Sequence, residues 1–328
     1  MDSVYHKYLK YKNKYIKLKN LLGGSEWILN RNNKMEKYKE FDMSTLKKYE
    51  NDSNILGKGG QSIVYKLDEF DKDLCLRVFK NPDDSHNIIK ARQDLREEDK
   101  KIILNDSSYN NSEIYYSKLI SNIISKNINP HFVMSINFLK DGDKIYQLFE
   151  KFDGDITQLK ERTDSMKIFE QLLFSLLTLQ NNNIIITDVK EDNIFYKKLD
   201  KPINIHYKIV DQDYYIYTDY LFVIADYGMA QPVYEKNERN FITLQQIIQL
   251  FSEDKKIEKL LTNLEVPPIC GKDQLTRFEQ LFSRNNSLID CIKNIINKYK
   301  EKKQTILKDP VKDIHVYGPF NVLEKIEN

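Results

Sequence analysis

The chain has 328 residues, which is enough for one large domain or two small ones. Hydrophobic residues make up 41% and charged residues 30% of the sequence, so it is neither a disordered nor a collagen-like chain. The 51 basic and 49 acidic residues leave a net charge of +2, which does not indicate a nucleic-acid binder, and no nucleic-acid motif stands out. No stretch approaches the ~18 apolar residues of a spanning helix, so no transmembrane segment is predicted.

Residues 1–24 form a segment of their own. Tyr5, Tyr8 and Leu9 are spaced at i, i+3 and i+4, lysines surround them, and a Gly-Gly pair ends the segment. This pattern predicts a basic amphipathic leader helix that stops at the glycines. The segment could be a solvated helix that packs loosely on the main domain, or a docking or packaging segment. A helix on a membrane surface is a third alternative, but tyrosines in place of leucine or phenylalanine on the apolar face make it the weaker one.

The remaining sequence divides by its pattern of apolar residues. Residues 25–50 are polar and mixed, which is typical of a linker. Residues 51–153 alternate as strands with one helix, and residues 154–300 contain short strands but become mainly helical. Residues 301–328 are interpreted as a C-terminal tail. This order predicts an α+β fold with two lobes, the first small and β-rich and the second larger and helical.

A glycine-rich turn between two predicted strands is the first segment with a chemical meaning. Backbone N–H groups in such a turn can approach phosphate oxygens because glycine has no Cβ. A plain hairpin turn explains the glycines about equally well. The residues concerned are Gly57, Lys58, Gly59, Gly60, Gln61, Ser62, Ile63 and Val64.

A polar loop follows the apolar helix predicted over residues 166–181. Asp188, Lys190 and Asn193 have the spacing of a phosphoryl-transfer loop. In such a loop the aspartate accepts or orients the substrate hydroxyl proton, the lysine neutralises the transferring group, and the asparagine binds Mg²⁺. This is the most specific chemical signal in the sequence.

An apolar strand over residues 221–225 ends in Asp226-Tyr227-Gly228. An aspartate at a strand end can hold a metal ion that bridges phosphates, and the glycine allows a sharp turn. Asp211 and Asp213 offer a second candidate closer to the first loop, but no aromatic-Gly pair follows them. They are interpreted as part of an inserted hairpin.

These motifs, in this order over residues 51–251, resemble those of the protein kinase superfamily, and the Asp-x-Lys spacing resembles that of Ser/Thr protein kinases. The resemblance implies a two-lobed protein kinase fold with ATP and Mg²⁺ or Mn²⁺ as cofactors. It makes Asp188 and Lys190 catalytic and makes Asn193 and Asp226 metal ligands. It also implies a hinge at the end of the first lobe, where Glu150 to Phe152 would present backbone groups to adenine.

The resemblance places Arg77 where the family has a lysine that contacts the α- and β-phosphates. Strand alternation puts Cys75 and Arg77 on the cleft face, with Leu74 and Leu76 in the core. Arginine is always charged and can clamp phosphate, but it is longer and planar, so it does not replace lysine equivalently. Glu113 is the candidate partner of Arg77, and a solvated carboxylate at a helix start is an equally supported role for it.

The sequence also departs from the family pattern. Ile186-Thr187 stands where the family has His-Arg, and no Ala-Pro-Glu follows Gly228. If residues 240–248 are the central helix of the second lobe, the activation segment is short. Two functions are therefore weighed: phosphoryl transfer to protein Ser/Thr hydroxyls by a divergent kinase, and a weak or inactive pseudokinase with a structural or interaction role in a virion. Small-molecule phosphorylation is a third, less favoured reading.

The leader at residues 1–24 resembles leader segments on proteins of giant DNA viruses. The resemblance implies a location in a virion or in the cytoplasm of an infected host cell. It also implies that the basic helix docks to another virion or host component, with processing near its glycine pair. The sequence does not identify the protein substrate.

Overall fold

The computed structural model describes residues 26–59, 62–79, 109–142, 144–159, 165–232, 242–251, 254, 257, 288–303 and 306–326. The predicted leader helix at residues 1–24 and the turn residues Gly60 and Gln61 lie outside these ranges. Among the described residues, no helix combines the length and apolar character needed to cross a membrane.

The described part of the chain mixes α-helices with largely antiparallel strands, as the predicted α+β class requires. Its helices are α1 (Glu26–Tyr38), α2 (Tyr109–Ser125), α3 (Ser165–Asn181), α4 (Ile242–Leu250) and α5 (Leu288–Lys303). Short 3₁₀ segments occur at Met43–Tyr49, Asp52–Asn54, Ile156–Gln158 and Glu191–Asn193. The strands are β1 (Ile55–Lys58), β2 (Ser62–Lys66), β3 (Leu74–Phe79), β4 (Ser135–Asp141), β5 (Lys144–Glu150), β6 (Gly154–Asp155), β7 (Ile184–Ile186), β8 (Ile194–Ile209), β9 (Gln212–Ile224), β10 (Ala230–Pro232), β11 (Ile306–Leu307) and β12 (Val316–Asn321).

The first sheet has the antiparallel order β1-β2-β3-β5-β4. Its register places Arg77 opposite Val64 on one side and Gln147 on the other. Leu74 and Leu76 are fully buried and Arg77 is only partly buried, as predicted, whereas Cys75, predicted on the same cleft face as Arg77, is buried as well. The glycine turn, the central strand and β5 therefore present one common face.

The second sheet is built around the long hairpin of β8 and β9, with the order β11-β9-β8-β12. The predicted hairpin around Asp211 is confirmed, and its tip turns through Val210, whose φ is 56°. Strands are present over residues 184–232 as expected, but β8 and β9 are long, with 16 and 13 residues, where only short strands were predicted. The alternation of Ile203, Ile205 and Tyr207 into the core explains this, because it continues the strand pattern through a bulge.

Residues 26–38 are an α-helix, so the prediction of a linker over residues 25–50 is wrong. Trp27 and Ile28 are buried, and Arg31 is 1% exposed. The sequence of α1 is polar, and it is its few buried side chains that attach it to the domain. The helix is therefore an integral part of the core.

The C-terminal residues also belong to the fold, which corrects their interpretation as a tail. Strand β12 pairs in parallel with β8, and Phe320 and Val322 are buried. The Thr178 hydroxyl of α3 donates a hydrogen bond of 2.9 Å to the Val322 carbonyl oxygen. The last described residues thus cover α3 and one edge of the hairpin sheet.

A buried ion pair connects α1 to the end of β5. Arg31 Nε lies 2.6 Å from Glu150 Oε1, and Arg31 Nη2 lies 2.7 Å from Glu150 Oε2. The same guanidinium donates to the carbonyl oxygens of Pro130 at 2.6 Å and Phe132 at 2.8 Å. Because every contact is buried, each partner compensates the lost hydration of the other.

Replacing Arg31 by Met should lower the free energy of unfolding by about 3–5 kcal/mol, because it leaves the Glu150 charge buried and unpaired. Adding Glu150→Gln to that variant should restore part of the loss, since no buried charge remains. Urea unfolding measures both. Lys47→Met is the control, since its pair with Asp141 is exposed and should contribute less than about 1 kcal/mol. A loss in Arg31→Met no larger than in the control would contradict the assignment.

Candidate functional site

A cavity of about 400 Å³ lies between the first sheet, helix α2 and the adjoining ends of β8 and β9. It is large enough for a small-molecule ligand. One wall is lined by residues of the first sheet, α2 and the segment before β4: Gly57, Lys58, Gly59, Ser62, Val64, Arg77, Glu113, Ser117, Val133, Ser135, Gln147 and Phe149. The other wall is lined by Asp155, Asp192, Asn193, Phe195, Ala225, Asp226 and Tyr227.

Eight of the residues predicted from sequence meet in this cavity: Gly57, Lys58, Gly59, Ser62, Val64, Arg77, Asn193 and Asp226. Ile63 does not line it, because alternation along β2 directs Ser62 and Val64 inward and their neighbour away. Cys75 is buried without lining the cavity, and burial raises the pKa of its thiol to about 12.

The guanidinium of Arg77 connects the glycine turn to helix α2. Its Nε donates to Ser62 Oγ at 2.8 Å, and its Nη1 forms an ion pair with Glu113. Glu113 is 2% exposed, so the alternative of a solvated helix-start carboxylate is wrong, and its role as the partner of Arg77 is confirmed. The planar fork of arginine permits both contacts at once.

Burial makes Glu113 unusual among the acidic residues of the cavity. Desolvation and, to a smaller extent, the charge of Asp226 raise its pKa to about 7, against the lowering effect of Arg77. Its Oε2 atom and the hydroxyl of Ser117 are buried without a hydrogen-bond partner in the described part of the chain. The back of the cavity therefore offers two hydrogen-bonding atoms to a ligand or to solvent.

The loop at residues 186–193, here called the Asp188 loop, adjoins the cavity through Asn193. Asn193 Nδ2 donates to the backbone oxygen of Asp188 at 2.8 Å and to its carboxylate Oδ2 at 3.1 Å. Lys190 Nζ lies 3.0 Å from the same carboxylate, which raises the pKa of Lys190. Asp188 and Lys190 do not line the cavity, and their side chains are 35% and 52% exposed. Solvent can therefore reach both side chains.

Asp226 sits where β9 ends, in a left-handed conformation with φ of 60°. The Gly228 N–H donates to its Oδ1 at 3.1 Å, and the Ala225 N–H donates to the Asn193 carbonyl oxygen at 2.8 Å. Tyr227 is buried, and its hydroxyl donates to the Ile224 carbonyl oxygen at 2.8 Å. The aromatic anchor and the backbone bond hold Asp226 beside Asn193, despite the long hairpin between them.

The donor chemistry of Asn193 and Asp226 fits a hard divalent cation. The amide nitrogen of Asn193 already bonds to Asp188, so its amide oxygen is the atom suited to bind a metal. No group of three His, Cys, Asp or Glu residues able to hold a metal ion occurs among the described residues. Mg²⁺ is commonly held by one or two protein oxygens together with substrate phosphates, and the pair agrees with that pattern.

The predicted hinge residues lie beside the cavity and do not line it. The Glu150 side chain is bound to Arg31, and the backbone N–H of Glu150 donates to the Met134 carbonyl oxygen at 3.2 Å. The ring of Phe152 packs against Trp27, with centroids 5.3 Å apart, and against Phe195 at 6.0 Å. Both residues support the cavity from behind with their side chains.

Sequence reasoning missed two kinds of residue at this site. Phe195 lines the cavity from the side opposite Val64, and its place two residues after Asn193 in a strand was a usable signal. Gln246 of α4 bonds to the backbone of the Asp188 loop. It carries no local signal, because its role depends on where α4 packs.

In comparisons with known proteins, no family model matches the chain, and no curated protein matches it either. The geometry of the cavity and of the Asp188 loop is therefore the basis for assigning a function. The cavity brings together the backbone of the glycine turn, the Arg77–Glu113 pair and the oxygens of Asn193 and Asp226, and the Asp188 loop adjoins it.

The raised pKa of Glu113 predicts a pH-dependent stability. Glutamate ionises near 4.5 in the unfolded chain and near 7 in the folded protein, so the folded state binds the proton more tightly. The stabilisation that protonated Glu113 gives to the folded state is therefore complete below about pH 4.5 and is lost as the pH rises to about 7. Relative to Glu113→Gln, the wild type should lose unfolding free energy over that range in urea titrations. Glu36→Gln, at an exposed position, should follow the wild type, and parallel curves for all three proteins would refute the prediction.

Proposed function

We propose that the chain is a divergent protein kinase that transfers the γ-phosphoryl group of ATP to protein Ser or Thr hydroxyls. The observation that carries the proposal is the meeting of the glycine turn, the Arg77–Glu113 pair, Asn193 and Asp226 in one cavity. On this proposal the first sheet and α2 form the small lobe, residues 51–153. The β8–β9 hairpin is an insertion in the larger lobe, residues 154–300.

The cavity suits a nucleotide with its phosphates toward the glycine turn. Val64 and Phe195 provide apolar surface from opposite walls for a base, while Arg77 brings positive charge to the phosphate end. Asn193 and Asp226 would hold Mg²⁺ or Mn²⁺ through their oxygen atoms. Such a bound ion neutralises charge on the phosphates.

The Asp188 loop supplies the groups that act on the hydroxyl. The Asp188 carboxylate accepts a hydrogen bond from Asn193, and it is exposed enough to reach a hydroxyl on another protein. It would orient the hydroxyl and take its proton as the hydroxyl oxygen bonds to the γ-phosphorus and the bond from that phosphorus to the β–γ bridging oxygen breaks, which releases ADP. Lys190 beside it would offset the negative charge of the transferring group.

A weak or inactive pseudokinase is the second candidate, and the contacts of Arg77 favour it. Its guanidinium is already bound to Ser62 and Glu113, so part of its hydrogen-bonding capacity is committed within the protein. Phosphate contact would then be weaker than with a lysine at this position. Such a protein would serve a structural or interaction role in a virion.

The location is proposed from the leader alone. Its resemblance to leaders of giant DNA virus proteins supports a virion or the cytoplasm of an infected host cell. The excess of lysine at residues 1–24 supports docking to another virion or host component of opposite charge.

Purified protein with labelled ATP, Mg²⁺ or Mn²⁺ and a generic protein substrate should show phosphoryl transfer. Asp188→Asn should reduce the rate by about 100-fold or more, because the base is lost while the size is kept. Asp213→Asn, in the hairpin, is the matched control and should keep the wild-type rate. Equal rates in Asp188→Asn and wild type would show that Asp188 is not the catalytic base. No transfer, together with little or no rise of the melting temperature on adding ATP–Mg²⁺, would favour the pseudokinase.

Asp226→Asn should weaken the Mg²⁺-dependent part of ATP binding by at least about 10-fold, because a neutral amide replaces the charged ligand. Binding of ATP without metal should change little. Isothermal titration calorimetry with and without Mg²⁺ separates the two effects, and Asp211→Asn at the hairpin tip is the control. If Asp226→Asn keeps the wild-type metal dependence, Asp226 is not a ligand.

A further inference from the structure

One side-chain amide of helix α4, that of Gln246, makes two hydrogen bonds to the backbone of the Asp188 loop. Gln246 Oε1 accepts a hydrogen bond from the Val189 N–H at 2.9 Å. Gln246 Nε2 donates to the Thr187 carbonyl oxygen at 2.7 Å. These two backbone groups flank Asp188 on both sides, so one planar amide brackets the residue.

A second residue of α4 holds the preceding position. The Thr243 hydroxyl accepts from the Ile186 N–H at 3.1 Å and donates to the Ile186 carbonyl oxygen at 2.8 Å. Thr243 is fully buried, so these bonds are shielded from water. Helix α4 therefore makes four hydrogen bonds to the backbone of residues 186–189.

A third contact holds the loop from another side. The Thr187 hydroxyl donates to the Met229 carbonyl oxygen at 3.0 Å, just beyond the turn that carries Asp226. The backbone of the loop is thus attached both to α4 and to the segment after β9. The side chain of Asp188 is in turn contacted by Asn193 and Lys190.

We propose that Gln246 is a positioning residue that sets the Asp188 carboxylate for phosphoryl transfer; this inference rests on the proposed function. The peptide groups on either side of Asp188 determine the direction of its Cα–Cβ bond, and Gln246 binds one group in each. A displacement of roughly 1 Å at a reacting group can cost about 100-fold in rate. Gln246 itself does not line the cavity, so it acts on the loop and not on the nucleotide.

The chemistry of the amide provides a selective test. Glutamine supplies one acceptor and one donor, and both are used here. An ionised glutamate has acceptors only and would repel the Thr187 carbonyl oxygen. A protonated glutamate regains an O–H donor and matches the glutamine. Gln246→Glu should therefore be impaired at high pH and recover when protonated.

The experiment measures transfer kinetics over a pH series for wild type, Gln246→Leu, Gln246→Glu and the control Gln249→Glu, an exposed position on the same helix. Gln246→Leu should lower kcat by about 100-fold and leave the KM for ATP unchanged. For Gln246→Glu, the ratio of its kcat to that of wild type should rise as the pH falls. The ratio for Gln249→Glu should stay constant. A purely structural role would not produce the pH-dependent ratio.

Hydrogen exchange at the Val189 amide gives a second measurement that does not need activity. Exchange should be faster in Gln246→Leu than in wild type, because the acceptor is gone. Unchanged kcat in Gln246→Leu, a flat ratio in Gln246→Glu, or unchanged exchange at Val189 would each overturn the proposal. If Gln246→Leu does not fold, Gln246→Glu decides through its pH ratio. If the wild type is inactive, both the proposed function and this inference are wrong. If the wild type is active and the Gln246 variants are unaffected, only this inference is wrong.

Discussion

The arrangement of the domain depends on the buried contacts of the Arg31 guanidinium. It binds the Glu150 carboxylate and the carbonyl oxygens of Pro130 and Phe132, with every partner shielded from water. A charge in such a place is tolerated only if its partners are all present, since an unpaired buried ion costs several kcal/mol. Helix α1, the end of β5 and the segment before β4 therefore have to assemble together.

The consequences of this assembly reach both walls of the cavity. Glu150 follows Phe149, which lines one wall. The segment that Arg31 binds continues into Val133, whose N–H donates to the Ile224 carbonyl oxygen at 3.2 Å. Ile224 leads into Asp226 on the other wall. A single buried network thus relates the two halves of the site, although its charges lie outside the cavity.

Within the cavity, burial determines how the polar groups behave. Glu113 keeps its ion pair with Arg77, yet desolvation makes it a much weaker acid than an exposed glutamate. The side chain of Asp188, by contrast, is 35% exposed, so solvent can reach it. The structure therefore holds one carboxyl buried beside Arg77 and another, that of Asp188, which solvent can reach. This difference follows from where the chain places each group and not from residue type.

The sequence by itself determined the local features: the α+β class, the hairpin around Asp211, the inward face of Arg77 on β3, and the loops that carry Asn193 and Asp226. Each depends on spacing within a few residues, which periodicity reports directly. Only the tertiary structure decided that residues 26–38 are a core helix, that β12 joins the hairpin sheet, and that Gln246 brackets Asp188. These contacts join residues 57 to 119 positions apart, and none leaves a local pattern. The sequence of a polar helix such as α1 resembles that of a linker. The buried ion pair that holds it in place cannot be seen in the sequence, because burial is a property of the assembled chain.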